Sequence, residues 1–330
     1  GWKALPLRHP DGREYLVLST ALTSEDVGDM VFEVQDGKPV RYLNELDPGG
    51  YRILRHKIQV RFDLPAKTAH LTNEIELEGD PSPKLPCLLR FSPNYQIERV
   101  EQDGRQVPFL QAGGVVLLPT AGNGVQKFRL AYSGKVDRPG YAGGIVEREA
   151  SLTNDYWYPL LGRLPSAHEV AVTAPADWVA VGQGVKTGES VSGNLKTTRF
   201  RMDLPVVYFS LSVGKFQVRE RTVNGKTYRV WAKNLTPAEM DHQIEFMEPV
   251  HRYFSTTFGI DHFKGFGALI SEPYGGGALE AYSHATYGEG WLPDEDAHEP
   301  AHTWWGGQVN NTYLKSFWNE SFAVFCEGLY

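Results

Sequence analysis

Between residues 51 and 232 apolar and polar positions alternate with a period of two. His56 to Leu64 (HKIQVRFDL) and His70 to Leu77 (HLTNEIEL) carry the pattern most clearly. Such alternation turns one face of a strand to a core and the other to water. Shorter runs follow at Gln96 to Val100, Val115 to Leu118, Lys127 to Tyr132, Glu169 to Thr173, Thr197 to Met202, Val206 to Val213 and Tyr228 to Trp231. Many short strands separated by Gly, Pro and Asp predict a β-sandwich or saddle-like sheet. Residues 1–50 have no clear period and are assigned to an N-terminal extension, adding an edge strand or forming a small cap.

At Asn234 the pattern changes. Thr236 is a good N-cap, Pro237 suits the first helical position and Glu239 completes a capping box. Met240, Ile244, Met247, His251 and Phe254 continue at helical spacing, with Pro249 expected to kink or split the helix. Phe263 to Ile270 (FKGFGALI) reads as a strand, followed by the turn Gly275-Gly276-Gly277. A domain boundary falls near 205–235.

The sequence His298-Glu299-Pro300-Ala301-His302 carries the chemistry. Histidines at i and i+4 share one helix face with Cβ atoms ~5–6 Å apart, close enough to bind one ion. Zinc accepts imidazole nitrogen, and a catalytic site keeps three protein ligands plus water. The intervening Glu299 is placed to take a proton from that water. Proline is tolerated in a first helical turn, so the helix is expected to begin just upstream with Asp294 or Asp296 as cap. Trp304-Trp305-Gly306-Gly307 would carry it to its end. A polar loop through Asn310-Asn311-Thr312 would then lead to a second helix starting near Phe317. Glu320 on that helix is the candidate third ligand, with Glu327 as the fallback. Trp304, Trp305 and Trp318 are read as core packing.

These residues resemble the zinc signature of the aminopeptidase N family of gluzincins, in which HExxH is followed after 18 residues by Glu in a WLNEGFA-like stretch. Here His298-Glu299-Pro300-Ala301-His302-Thr303-Trp304-Trp305-Gly306 precedes Trp318-Asn319-Glu320-Ser321-Phe322-Ala323. Upstream, Gly277-Ala278-Leu279-Glu280-Ala281 is similar to the family's GxMEN motif. The likeness is specific over 263–330 and only architectural over 1–232. It implies His298, His302 and Glu320 as ligands of one Zn2+ per chain and Glu299 as general base. It also implies Glu280 as binder of the substrate α-amine, with Gly276, Gly277 and Ala278 alongside the first residues of the peptide. The fold implied is α+β and multidomain. It comprises the extension at 1–50, the β-rich domain at 51–215, and the N-terminal part of a thermolysin-like helical zinc domain at 216–330.

Three features depart from the family pattern. The gap from His302 to Glu320 is 17 residues, the GxMEN Met and Asn are Leu279 and Ala281, and the carbonyl-polarising tyrosine of the family lies beyond Tyr330. Tyr274, Tyr282 and Tyr287 lie near the motifs without a spacing that assigns them a role. A chain with these features is expected to be the front portion of a longer protein and to bind zinc better than it catalyses. The expected activity is amino-terminal cleavage of peptides. The alternatives are a zinc endopeptidase, or a non-catalytic peptide-binding or scaffold module with a relic zinc site.

Composition narrows this further. A net charge of −7 and a pI of about 5.8 argue against a nucleic-acid grip or an anionic membrane surface, while an acidic surface attracts peptide ammonium groups. With two cysteines, Cys87 and Cys326, there is no disulfide framework and no thiolate metal site. No apolar run is long enough to span a bilayer. A soluble protein is expected, either cytoplasmic or extracytoplasmic after signal removal, with its oligomeric state left open. Glycosylation sequons occur at Asn234, Asn310 and Asn319, and the last two are read as chance because a glycan there would obstruct the site.

Overall fold

The computed structural model describes every residue except 1–2, 10–11, 20–29, 44–48, 80–86, 120–123, 138–139, 141–142, 154–155, 260 and 312–317. The described chain is mostly β-strand with three helices. Its centre is an eight-stranded sheet in the order Val185–Ser192, Leu195–Val206, Ser166–Pro175, Tyr51–Asp63, Thr68–Gly79, Gly124–Lys135, Tyr95–Gln102 and Arg105–Gln106. All neighbours are antiparallel except Ser166–Pro175 beside Tyr51–Asp63.

The alternation in the sequence becomes two chemically distinct faces of this sheet. Ile58, Val60, Leu71, Ile75, Phe128, Leu130, Val170 and Val172 point inward. They share one core with Leu89 and Val116 of a three-stranded sheet and with Ile145, Leu152 and Val213 of a four-stranded sheet. On the outer face, Arg201, Glu169, Lys57, Glu74, Arg129 and Glu101 lie side by side across six strands. Their signs alternate, and opposite charges on directly paired residues stabilise a solvated sheet face.

The first fifty residues contribute more than an edge strand. Lys3–Arg8, Glu14–Ser19, Met30–Gln35 and Lys38–Leu43 form their own antiparallel sheet. Tyr15, Val17, Val31 and Leu43 pack from it onto Leu88, Val115 and Leu117.

A five-stranded sheet positions the candidate site, in the order Gln217–Val223, Lys226–Ala232, Gly265–Ser271, Ala285–Gly288 and Ala278–Glu280. Helix α1 (Pro237–Phe258) begins on Thr236, with the expected capping box present. It lays Met240, Ile244 and Met247 against Val230, Phe266 and Ala268. The helix is not split at Pro249. Proline costs a helix its hydrogen bond to residue i−4, here Glu245, which faces solvent, while Val250, His251 and Phe254 beyond it are buried. Helices α2 (His298–Ala301) and α3 (Trp318–Leu329) complete the described chain, and Ala301, Trp304, Ala323 and Cys326 pack with Val250 and Phe254.

Two other expectations are corrected. Val206 to Val213 is not one strand, because residues 207–210 leave the ladder. Their backbone is satisfied by side chains instead: Trp157 Nε1 donates to Phe209 O at 2.8 Å, and Gln183 bonds both Tyr208 O and Ser210 N. The helix through His302 ends at Ala301 and does not run on to Gly307. Beyond it, amides bond three, four and then five residues back, as in Thr303 to Pro300, Trp305 to Ala301 and Gly307 to His302. The expected loop through Thr312 and the helix start at Phe317 lie outside the described residues. Among the described residues no helix is long and apolar enough to cross a membrane.

Candidate metal centre

Helix α2 and the residue that caps its C-terminus, His302, present two imidazoles to each other, and α3 brings a carboxylate to both. His298 Nε2 and His302 Nε2 are 3.1 Å apart. Glu320 lies 3.3 Å from the first through Oε2 and 3.5 Å from the second through Oε1. For ligand bonds of about 2.0–2.1 Å, the edges of a tetrahedron are about 3.3–3.4 Å. The two Nε2 atoms, and each of them with its nearer Glu320 oxygen, are therefore spaced like neighbouring corners of a zinc site.

The far nitrogens of both rings are held. His298 Nδ1 is 2.5 Å from Glu327 Oε1, and His302 Nδ1 donates to Trp305 O at 2.9 Å. A donated Nδ1–H leaves Nε2 as the free lone pair, which is the tautomer a metal needs. Glu327 thus sits behind a histidine, on the side away from the other two donors.

Glu299 is buried, and its Oε2 has no hydrogen-bond partner. An orphaned buried carboxylate oxygen costs free energy unless a proton, ligand or cation answers it. Glu280 is buried nearby, with donor atoms of Glu280, Glu299 and His302 mutually within 4.8 Å. Burial, reinforced by the Glu280 and Asp296 carboxylates, pushes the Glu299 carboxyl up to about 8 against the pull of His302. At His302 burial acts downward, yet the hydrogen bond it donates to Glu320 and the charges of Glu280 and Glu299 raise it to about 10. Hydrogen bonds from His298 and His302 hold Glu320 at about 2. Three carboxylates gathered around two imidazoles attract positive charge, and a divalent cation fits these nitrogen and oxygen donors.

The glycine-rich turn lies beside the cluster. Gly276 and Gly277 have φ of 129° and 78°, values that favour glycine, and Gly277 O accepts from Gly288 N at 3.0 Å. Ala278 and Glu280 pair with Tyr287 and Ala285. A cleft of about 760 Å³ runs past Gly277, Ala278, Trp291, His298 and Glu299. Glu280 is at the inner end of the same strand, beside His302 rather than in the cleft lining.

Of the two caps expected from sequence, Asp296 makes the contacts: its Oδ1 accepts from His298 N at 2.8 Å and Glu299 N at 3.2 Å. Its other oxygen accepts from the Tyr287 hydroxyl, a contact no spacing rule announces. The sequon at Asn319 is closed, since that side chain is 1% exposed and accepts from Asn311 Nδ2 at 2.8 Å.

No protein-family profile matches the chain. A curated relative, aminopeptidase N of Haemonchus contortus, is 28% identical over 184 residues, covering 48% of this chain and 18% of the relative. Among solved structures, an M1 zinc metallopeptidase of Deinococcus radiodurans superposes with a TM-score of 0.69 at 19% identity, over 84% of this chain and 70% of that one. A two-domain M1 zinc metallopeptidase variant bound to L-arginine gives 0.71 at 20% identity with the same coverage. The same fold is seen in a variant of the Deinococcus enzyme bound to a Tyr-Ser-Ala substrate, at 0.69 and 19%. The resemblance to the aminopeptidase N family is thereby borne out in the fold.

Proposed function

We propose that this chain, which has the fold of the M1 zinc metallopeptidases, is a zinc-dependent peptidase that acts at the amino terminus of peptides. The observation that carries the reading is the cluster of His298, His302 and Glu320: the two Nε2 atoms are 3.1 Å apart, each has a Glu320 oxygen at 3.3–3.5 Å, and both imidazoles are tied behind. His298 Nε2, His302 Nε2 and Glu320 would hold the ion in the thermolysin-like arrangement expected for residues 216–330. When bound, zinc supplies a lowered pKa for a water molecule and polarises a peptide carbonyl.

The remaining work falls to side chains of this chain. Glu299, buried beside His302 and with one carboxylate oxygen unpartnered, accepts the proton of the attacking water and returns it to the leaving amine. Glu280 receives the substrate's α-ammonium through a charge-assisted hydrogen bond, which an acylated terminus cannot make. Gly276, Gly277 and Ala278 offer backbone to the residues that follow, and the adjoining cleft receives their side chains.

The test uses zinc-loaded protein and one peptide in free and N-acetylated forms. The free form should be cleaved and the acetylated form spared, and Glu299→Gln should keep zinc but lose hydrolysis. Equal cleavage of the two forms would turn the assignment to an endopeptidase. Undiminished activity in Glu299→Gln would remove Glu299 from the mechanism.

A further inference from the structure

Helix α2 is too short to fix its own position. It has four residues, one of them Pro300, which donates no backbone hydrogen bond. The amides that follow close three-residue turns, His302 N to Glu299 O at 3.2 Å and Thr303 N to Pro300 O at 3.1 Å. A single turn lies far below the length at which helix formation becomes cooperative. His298 and Glu299 must therefore be located by bonds from outside the helix.

Asp296 supplies those bonds at the backbone. Its Oδ1 takes the His298 and Glu299 amides, and its other oxygen takes the Tyr287 hydroxyl. Tyr287 is 2% exposed on the Ala285–Gly288 strand and stands opposite Ala278 in the antiparallel register. Burial and the neighbouring Asp296 charge hold the phenol well above its ordinary pKa, so it stays a donor at neutral pH. One phenol–carboxylate contact thus joins the strand paired with the proposed peptide-binding strand to the helix proposed to bind the metal.

We propose that Tyr287 and Asp296 form a positioning pair that sets His298 and Glu299 against the Ala278–Glu280 strand. Neither residue belongs to the group of side chains proposed to hold the ion, although both line the cleft beside it. The pair acts through the backbone of α2, whereas Glu327 restrains only the His298 ring. The proposal rests on the reading of His298 as a zinc ligand.

The test compares wild type with Tyr287→Phe, Asp296→Asn and Asp296→Ala, using zinc competition against a chromophoric chelator and the visible spectrum of the Co(II)-loaded protein. Partners behind metal ligands typically contribute about 10–100-fold in affinity. Tyr287→Phe should lose zinc affinity by about tenfold or more and shift the Co(II) bands. Asp296→Asn keeps an oxygen for the two amides and should fall between wild type and Asp296→Ala. A pair that matters only for folding would lower the melting temperature of the metal-free protein and leave affinity and Co(II) spectrum unchanged, which overturns the proposal. If wild type itself holds no stoichiometric zinc, the metal reading fails and the proposal with it. If wild type holds zinc and folded Tyr287→Phe matches it, only the positioning role is lost.

Discussion

Replacing Glu280 by Gln removes one charge from the candidate site while keeping shape and volume. The side chain is 8% exposed, and its oxygens lie within 4.8 Å of donor atoms of both Glu299 and His302. If Glu280 holds the substrate ammonium, the substitution turns a buried charge-assisted contact into a neutral one. Two unit charges ~3 Å apart at an effective dielectric of about 20 attract by roughly 5 kcal/mol, an upper limit before desolvation. Measured hydrogen bonds to charged groups give a floor of about 1.5 kcal/mol. A loss of about 2–4 kcal/mol corresponds to roughly 30- to 1000-fold in affinity. Calorimetry can read this without turnover, by titrating zinc-loaded protein with leucine hydroxamate and with its N-acetyl derivative. Wild type should prefer the free amine by at least about thirtyfold, and Glu280→Gln should bring the two ligands within about threefold of each other. If both ligands weaken in parallel, Glu280 acts through the metal site and the amine-binding role is refuted. Unchanged discrimination refutes it equally.

Other outcomes follow from the same geometry. Glu327→Gln weakens the hold on His298 Nδ1 and should lower zinc affinity about 10–100-fold in chelator competition; unchanged affinity would show that this contact does not orient the ring. Burial depresses the His56 imidazole to about 3 from an unfolded value near 6.5, so between these pH values the unfolded chain binds the extra proton. Stability from this residue is present above pH 6.5 and lost as pH falls, by about 2 kcal/mol at pH 5. Urea denaturation of metal-free protein should therefore show a shallower decline from pH 7 to pH 5 in His56→Gln, and an unchanged decline would contradict the assignment.

Much of the architecture follows from hydrophobic periodicity. Tyr51–Asp63 and Thr68–Gly79 extend the two clearest alternating runs, and Val115–Leu118 matches its run at both ends. These strands are legible because one face of each meets a core, so period two survives. The capping box at Thr236 is legible because its partners are three residues apart. Residues 207–210 look like a strand because they are apolar and buried, but their hydrogen bonds go to Trp157 and Gln183, which no local pattern foretells. The stop of α2 at Ala301 is hidden because Thr303 to Gln308 satisfies its amides with turns that are first tighter and then wider than a helix and leave no composition signal. Within the candidate site, His298 and His302 are readable from their spacing alone. Glu320 is readable from the need for a third ligand together with the family resemblance, and the structure brings it to the two imidazoles across a gap of 17 residues. The Tyr287–Asp296 contact exists only once strand and helix are packed together.

The central claim is one zinc ion held by two imidazoles and a carboxylate, and X-ray absorption at the zinc edge tests it most directly. Protein loaded with one equivalent of zinc at neutral pH should show nitrogen and oxygen neighbours at about 2.0–2.1 Å, with outer-shell scattering from two imidazole rings. That imidazole signal should fall by half in His302→Ala. A sulfur shell near 2.3 Å, or a spectrum without imidazole scattering, would contradict the account.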